Sequence, residues 1–399
     1  MKKDFIFKFG FYLFLFICIF DPADKLFNLK TPLFIICFFI FFYDYLRSKV
    51  NHFPKSLILI NLFLILIPLI SIFFYFIRNL TFPGAGFDLF KAYILCLISI
   101  FLYFYRINVI KPFSIILFLL SLFIILVYLI VIIFPESYTL IYLWGLKYQI
   151  FLIGERSYSV DTESIWSIYF VTSPMLVIPI AYFTNEYFEK KSKIYLFFIL
   201  INVFGMFIAG TRNNMLISLL LPAILFYKYS KNKLPILFFS VLIVFLIFTN
   251  YSDLFNSMFS KDEASNSTKI RLLDDYIEIF SNPLNLAFGQ GLGSNHYWIS
   301  RDKSDYITEL TYLEIFRSHG LFFGLFITSI IFYPVYYLFF KQSYKHYYIL
   351  ISYFLFMIMA ATNPIYFMSM GMLFFPIVLS IIFIDSRQRL NSLSNFNFK

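Results

Sequence analysis

Apolar residues in this chain fall in unbroken blocks, each near the width of a lipid bilayer, which a helix crosses in about 20 residues. The blocks lie near Phe5–Phe20, Thr31–Tyr45, Ser56–Ile77, Asp88–Tyr105, Phe113–Phe134 and Ile165–Thr184, then Ile194–Gly210, Asn214–Tyr227, Pro235–Asn250, Gly320–Phe340, Tyr347–Tyr366 and Met370–Ile384. This pattern predicts an all-α fold, a polytopic helical membrane bundle of about twelve spans. Residues 1–399 read as one membrane domain with two long outer segments, 135–164 and 251–318. In the larger of these, Lys269–Phe280 has helical spacing, with Ile270, Leu273, Ile277 and Phe280 on one face, as in a short amphipathic helix at the outer surface.

Composition narrows the class. Hydrophobic residues make up 61% and charged residues 14% of the chain, against about 25% charged in a soluble domain, which excludes a water-soluble enzyme. The 59 Phe and 31 Tyr are read as facing lipid and neighbouring helices, so aromatic content points to no particular ligand. Cys18, Cys37 and Cys96 all sit in apolar blocks, where a thiol acts as a small hydrophobe rather than as part of a disulfide framework or zinc site. Met1-Lys2-Lys3 and the apolar run behind it resemble a secretory signal, but the run closes on Phe20-Asp21-Pro22 without small cleavage-site residues, so it reads as a retained first span.

The net charge of +10 is explained by sidedness. With the amino terminus in the cytoplasm, alternate segments on that side carry 19 Lys/Arg and 5 Asp/Glu, and the opposite side carries 13 and 17. The positive-inside rule therefore places both termini in the cytoplasm. No extramembrane segment is dense enough in Lys and Arg to follow a nucleic acid backbone.

Lys8, Asp44, Asp88 and Lys91 lie near span ends, leaving mid-depth almost uncharged, which argues against a pump or proton-coupled carrier. Ionisable groups gather instead on the outer side: Arg212, Arg271, His296, Arg301, Glu309, Glu314, Arg317 and His319. Arg212 lies in the tight turn Gly210-Thr211-Arg212-Asn213-Asn214, where a guanidinium and helix amino-terminal amides suit a phosphate or pyrophosphate, or simply an anchoring arginine. Helical spacing stacks Glu309, Leu313 and Arg317 on one face, while Glu314 and Arg317 also suit an ordinary surface pair. Gly289-Gln290-Gly291-Leu292-Gly293 lacks the strand and helix of a dinucleotide loop. Asp274-Asp275 has no His or Cys at ligand spacing, so no metal and no cofactor is expected.

Ala287–Ser294, Thr308–Arg317 and Gly320-Leu321 together resemble the large-loop signature of bacterial O-antigen polymerases, and Gly210-Thr211-Arg212 resembles their small-residue–arginine turn. The match covers residues 205–325, and the amino-terminal half agrees in hydropathy alone. The related O-antigen ligases carry a histidine where this chain has Glu309, which favours polymerase over ligase. The resemblance implies a GT-C-like membrane glycosyltransferase whose donor is an undecaprenyl-pyrophosphate-linked glycan and whose acceptor is a lipid-linked repeat unit, beside a chain-length regulator protein. On that reading Arg212 and Arg317, with Arg271 third, neutralise the leaving pyrophosphate. Glu309 or His319 serves as base, and Tyr312 orients the sugar, with Arg301 and His296 as further binding residues. Asp21 and Asp24 are alternative carboxylates, since another subclass of membrane glycosyltransferase uses acidic residues in its first outer loop. A ligase, a flippase for the repeat unit and a structural scaffold are the competing readings.

Overall fold

The computed structural model describes residues 2–48, 53–156, 165–209, 211–234, 264–340, 346–368 and 371–396. It opens with α1 (Lys2–Phe20) and α2 (Lys30–Arg47). Asp21 organises the connection between them, fully buried, with its carboxylate accepting from the backbone N–H of Lys25 (2.9 Å), Leu26 (2.9 Å) and Phe27 (2.7 Å). Asp24 accepts likewise from the N–H of Lys30 and Thr31. The two alternative carboxylates thus hold a turn, because a loop wedged between spans must satisfy its amides internally.

Next come α3 (Lys55–Asn79) and α4 (Gly84–Ile94), which runs through a 3₁₀ turn into α5 (Ile98–Tyr105), and then α6 (Ile110–Ile133) and α7 (Tyr138–Tyr148). Strands β1 (Phe151–Arg156) and β2 (Ile165–Phe170) pair antiparallel, from Phe151↔Phe170 to Arg156↔Ile165. The apolar run expected to span from Ile165 to Thr184 therefore begins as a strand. Its aromatic and β-branched residues suit a half-buried hairpin, and the helix starts only after the 3₁₀ turn Ser173–Leu176. There follow α8 (Val177–Lys190), α9 (Ile194–Ile208) and α10 (Arg212–Tyr229). The block Pro235–Asn250 lies outside the described residues.

The remaining elements are α11 (Ala264–Ser281), α12 (Pro283–Phe288), the short hairpin β3 (His296–Trp298) with β4 (Lys303–Asp305), α13 (Thr311–Phe340), α14 (Tyr347–Ala360) and α15 (Gly371–Phe396). The described residues are about 80% helical. Among the described residues, four helices are long and apolar enough to cross a membrane: Lys55–Asn79, Gly84–Tyr105, Ile110–Ile133 and Thr311–Tyr337. Shorter apolar helices cover Phe5–Phe20, Ile194–Ile208 and Tyr347–Ala360. This is a helical membrane protein in class, with four helices of spanning length and apolarity among the described residues against the dozen expected.

Its centre is α8, buried continuously from Val177 to Glu186, and α15, buried from Met372 to Phe383. With lipid as solvent, burial alone gives helices little reason to associate, so close approach and polar contacts hold them. Gly205 of α9 faces Ser121 of α6, and the Ser121 hydroxyl donates to Asn202 Oδ1 at 2.9 Å. Asn61 of α3 donates to Ser99 of α5 at 2.9 Å.

Polar contacts tie the helices together at both ends of the bundle. At one end Tyr105 donates to Asp44 at 2.8 Å, Lys228 lies over the Tyr347 ring, Arg387 lies over Tyr103, and His346 faces Asp385. At the other end Thr172 donates to the Ile19 carbonyl, Arg78 to the Gly289 carbonyl, Asn213 to Thr362 and Thr311 to the Asn363 carbonyl.

Candidate functional site

The outer ionisable residues lie in and beneath a cap made of α11, α12, the β3–β4 hairpin and the first turns of α13. The cap has its own small core, in which Leu272, Tyr276, Ile279 and Trp298 pack with Phe280, Leu310 and Leu313. Asp275 fastens α11 to the hairpin by accepting from the Ser300 N–H (3.2 Å) and hydroxyl (2.5 Å). Asp274 is exposed, and no group of three His, Cys, Asp or Glu suited to a metal occurs among the described residues.

Glu314 and Arg317 form the post that joins cap to bundle, and both side chains are 0% exposed. Arg317 Nη2 donates to Glu314 Oε1 at 2.5 Å and to the Tyr306 carbonyl at 3.0 Å, and Nε donates to Glu314 Oε1 at 2.9 Å. Nη1 donates to Gln290 Oε1 at 2.8 Å and to Ser294 Oγ at 2.7 Å. All five N–H groups of the guanidinium are thereby engaged. Glu314 Oε2 also accepts from the Tyr276 hydroxyl at 2.8 Å. Burial, reinforced by the Glu314 carboxylate, pushes that phenol well above its ordinary pKa.

The glycine-rich loop is shaped by close approach. Gly320 breaks α13 with φ 77° and ψ 172°, and Gly289 has φ 76°. A Cβ on Gly289 would lie 2.5 Å from the Gly320 nitrogen, and one on Gly320 would strike the Ala287 carbonyl. Only glycine serves at such a crossing of two backbones. The arrangement lets the Gln290 N–H reach the Arg317 carbonyl at 2.6 Å while its side chain meets the guanidinium.

His319 and Tyr312 are turned into the bundle. His319 is fully buried, with Nδ1 2.6 Å from Ser71 Oγ and Nε2 3.3 Å from the Tyr93 hydroxyl. Ser71 donates to the Ile67 carbonyl at 3.0 Å, so its oxygen accepts from Nδ1–H, and Nε2 accepts from Tyr93, as in a neutral imidazole. The Tyr312 hydroxyl donates to the Met357 carbonyl at 2.9 Å.

A second ionic group remains open. Glu309, 42% exposed at its side chain, lies 2.9 Å from Arg301 Nη2 and 3.7 Å from Lys269 Nζ. Three residues from Lys269 on α11, Asn266 accepts from Arg212 Nη1 at 2.6 Å. The Thr211 turn positions that arginine. Thr211 caps α10 by accepting the Asn214 N–H at 3.1 Å, Asn213 donates to Thr362 at 2.6 Å, and Asn214 donates to Ser173 at 3.0 Å. The neck of α10 is thus fixed by its own cap and by two neighbouring segments while Arg212 reaches α11. Arg271 is exposed on the far side of α11, about 200° round the helix from Lys269. His296 sets its ring against Trp298, centroids 4.8 Å apart. Burial and, second, the Arg317 charge lower its pKa from 6.5.

The structure therefore joins Arg212, Arg301 and Glu309 through Asn266 and Lys269, and sets Arg317, His319 and Tyr312 in protein-filled surroundings below. Lys269, Asn266, Gln290, Ser294 and Tyr276 were not singled out from sequence. Of these, Gln290 and Ser294 had a visible signal, since both lie in the glycine-rich stretch Ala287–Ser294. Comparison of the chain with protein-family models, curated proteins and solved structures finds no match.

Proposed function

We propose that the protein is a membrane glycosyltransferase that polymerises an O-antigen-type surface polysaccharide, moving a growing glycan from undecaprenyl pyrophosphate onto a lipid-linked repeat unit. The observation that carries this reading is a half-open carboxylate held between Arg301 and Lys269, with Arg212 tied to the same helix. The transfer needs a base for an acceptor hydroxyl and fixed cations for a departing pyrophosphate, and these residues supply both types of group around the first turns of α11. Glu309 takes the proton of the acceptor hydroxyl as its oxygen bonds to the anomeric carbon. The bond from that carbon to the pyrophosphate oxygen breaks, and Arg212 and Arg301 meet the charge that develops there. Arg317 and Glu314 keep the cap registered on the bundle, and His319 fixes α13 against α3 and α4. The basic end of the bundle, with both termini, faces the cytoplasm, and the cap faces outward.

The test is the surface and lipid-linked glycan ladder in cells lacking the gene, complemented at equal expression with wild type, Arg212→Lys or Glu309→Gln. A ladder stopping at one repeat without the gene, and with either variant, is expected. Long polymer retained on the carrier lipid would assign the chain to the ligases. Repeat units held at the cytoplasmic face would make it a flippase.

A further inference from the structure

The exposed half of α11 is itself divided. Successive residues turn by about 100°, which places Leu272, Asp275, Tyr276 and Ile279, all buried, on one sector. Arg271, Asp274 and Glu278 share a second, solvated sector. Ile270, Leu273 and Ile277 share a third, and they are 46%, 44% and 68% exposed. A helix bordering only protein and water needs two sectors, and a third that is apolar and uncovered marks a third medium.

We propose that the cap rests on lipid, with Ile270, Leu273 and Ile277 inserted into the membrane interface beside the bundle. Two observations identify lipid as the occupant. Asn266 lies on the same side of α11 as the stripe, and it meets Arg212 at the end of α10, so that side of the helix faces the bundle end rather than bulk water. The stripe is also continuous with the lipid-facing surface. It leads to exposed Leu284 and Phe288 of α12, and the Phe288 ring packs 5.6 Å from Phe74 of α3, beside exposed Phe73 and Ile77. Arg78 at the end of α3 binds the Gly289 carbonyl at 2.9 Å and Asn285 at 3.2 Å, pinning this end of the cap as Arg212 pins the other. The inference rests on the membrane reading of the bundle and is independent of glycosyl transfer. It places the Glu309 cluster at the depth of lipid phosphates.

The test uses full-length protein in nanodiscs of phosphatidylethanolamine and phosphatidylglycerol, with single nitroxide-labelled cysteines at positions 270, 271, 273, 274, 277 and 278. Native Cys18, Cys37 and Cys96 are buried, so labelled wild type gives the background. Accessibility to oxygen relative to a water-soluble nickel chelate is expected to peak at 270, 273 and 277 and to fall at 271, 274 and 278. The peaks should report a depth of about 5–10 Å below the headgroups. Water-like accessibility at all six positions would overturn the proposal. So would protection of 270, 273 and 277 from both reagents, which would mean that protein, such as a second copy, covers the stripe. The readout is depth rather than turnover, so it fails or succeeds separately from the polymerase reading.

Discussion

Two carboxylates five residues apart, each paired with an arginine, have opposite fates. Glu314 and Arg317 are sealed from solvent, and every donor of the arginine is used. Glu309 and Arg301 meet at a similar distance, yet the carboxylate is 42% exposed and shares its charge with Lys269. The chemistry is the same and the surroundings differ. Removal from water makes the first pair rigid and structurally indispensable, because either charge left alone would be buried without a partner. Exposure makes the second pair cheap to break and able to exchange partners with an incoming anion. Binding and catalysis need the second condition, and cap geometry needs the first.

The sharpest break in this contrast is to remove one member of the buried pair. Arg317→Met should cost about 3–5 kcal/mol, with loosening of the cap, because Glu314 would stay buried and unpaired. The double variant Arg317→Met/Glu314→Gln should recover a substantial part of that loss, read as thermal unfolding in detergent and as protease resistance of residues 264–310. A double variant no better than the single would mean that the guanidinium's bonds to Gln290, Ser294 and Tyr306, rather than the stranded carboxylate, hold the post. Gly320→Ala comes next. A backbone at φ 77°, ψ 172° is nearly closed to other residues, at a cost of about 1–3 kcal/mol before the collision with Ala287 is counted. An unfolding midpoint unchanged from wild type would show that the Gly289–Gly320 crossing can relax.

The same contrast separates what the sequence revealed from what it concealed. The apolar helices and the concentration of polar groups in residues 264–319 follow from hydropathy and charge, which act over whole segments. The helix expected at Lys269–Phe280 is present within Ala264–Ser281. The strand at Ile165 was concealed because a short apolar run has no periodicity to separate strand from helix. At the site, Arg212, Arg301 and Glu309 were legible as exposed-side charge. Whether Glu314 or Glu309 was the partner of Arg317 was not: helical spacing had stacked Glu309 on the same face, whereas the helix begins at Thr311, and within it the i, i+3 spacing of Glu314 brings the side chains together. Burial decided it, through Gln290, Ser294 and Tyr306 arriving from distant loop positions. His319 likewise gave no sign of Ser71 and Tyr93, which are 248 and 226 residues away along the chain.

Breaking the open pair should leave the fold intact. Arg301→Ala and Glu309→Gln are each expected to change stability by less than about 1 kcal/mol, as exposed ion pairs do. Under the proposed function, both nonetheless lose polymer beyond one repeat in the glycan ladder. A normal ladder from Glu309→Gln would remove Glu309 as base, and unfolding of that variant would move the pair into the structural class with Glu314 and Arg317. Arg212→Lys sharpens the comparison further. Lysine keeps the charge but loses the planar fork, so wild-type polymer length would mean that Arg212 acts as a point charge only.

The smallest expected effect lies between the two pairs, at His296. Burial and the nearby Arg317 charge hold its folded pKa below 6.5, against the opposing pull of Asp275, Glu278 and Glu314. A histidine whose folded pKa is depressed binds its proton more readily when unfolded, so acid favours the unfolded state. Its contribution is complete above pH 6.5 and falls as pH drops from 6.5 toward the folded value. Half-exposed, His296 should contribute less than either glycine or post. Thermal unfolding of wild type and His296→Gln, measured from pH 7.5 to pH 5, should therefore diverge, with wild type losing more of its midpoint as the buffer is acidified. Parallel curves would show that the imidazole is as well solvated in the cap as in the unfolded chain.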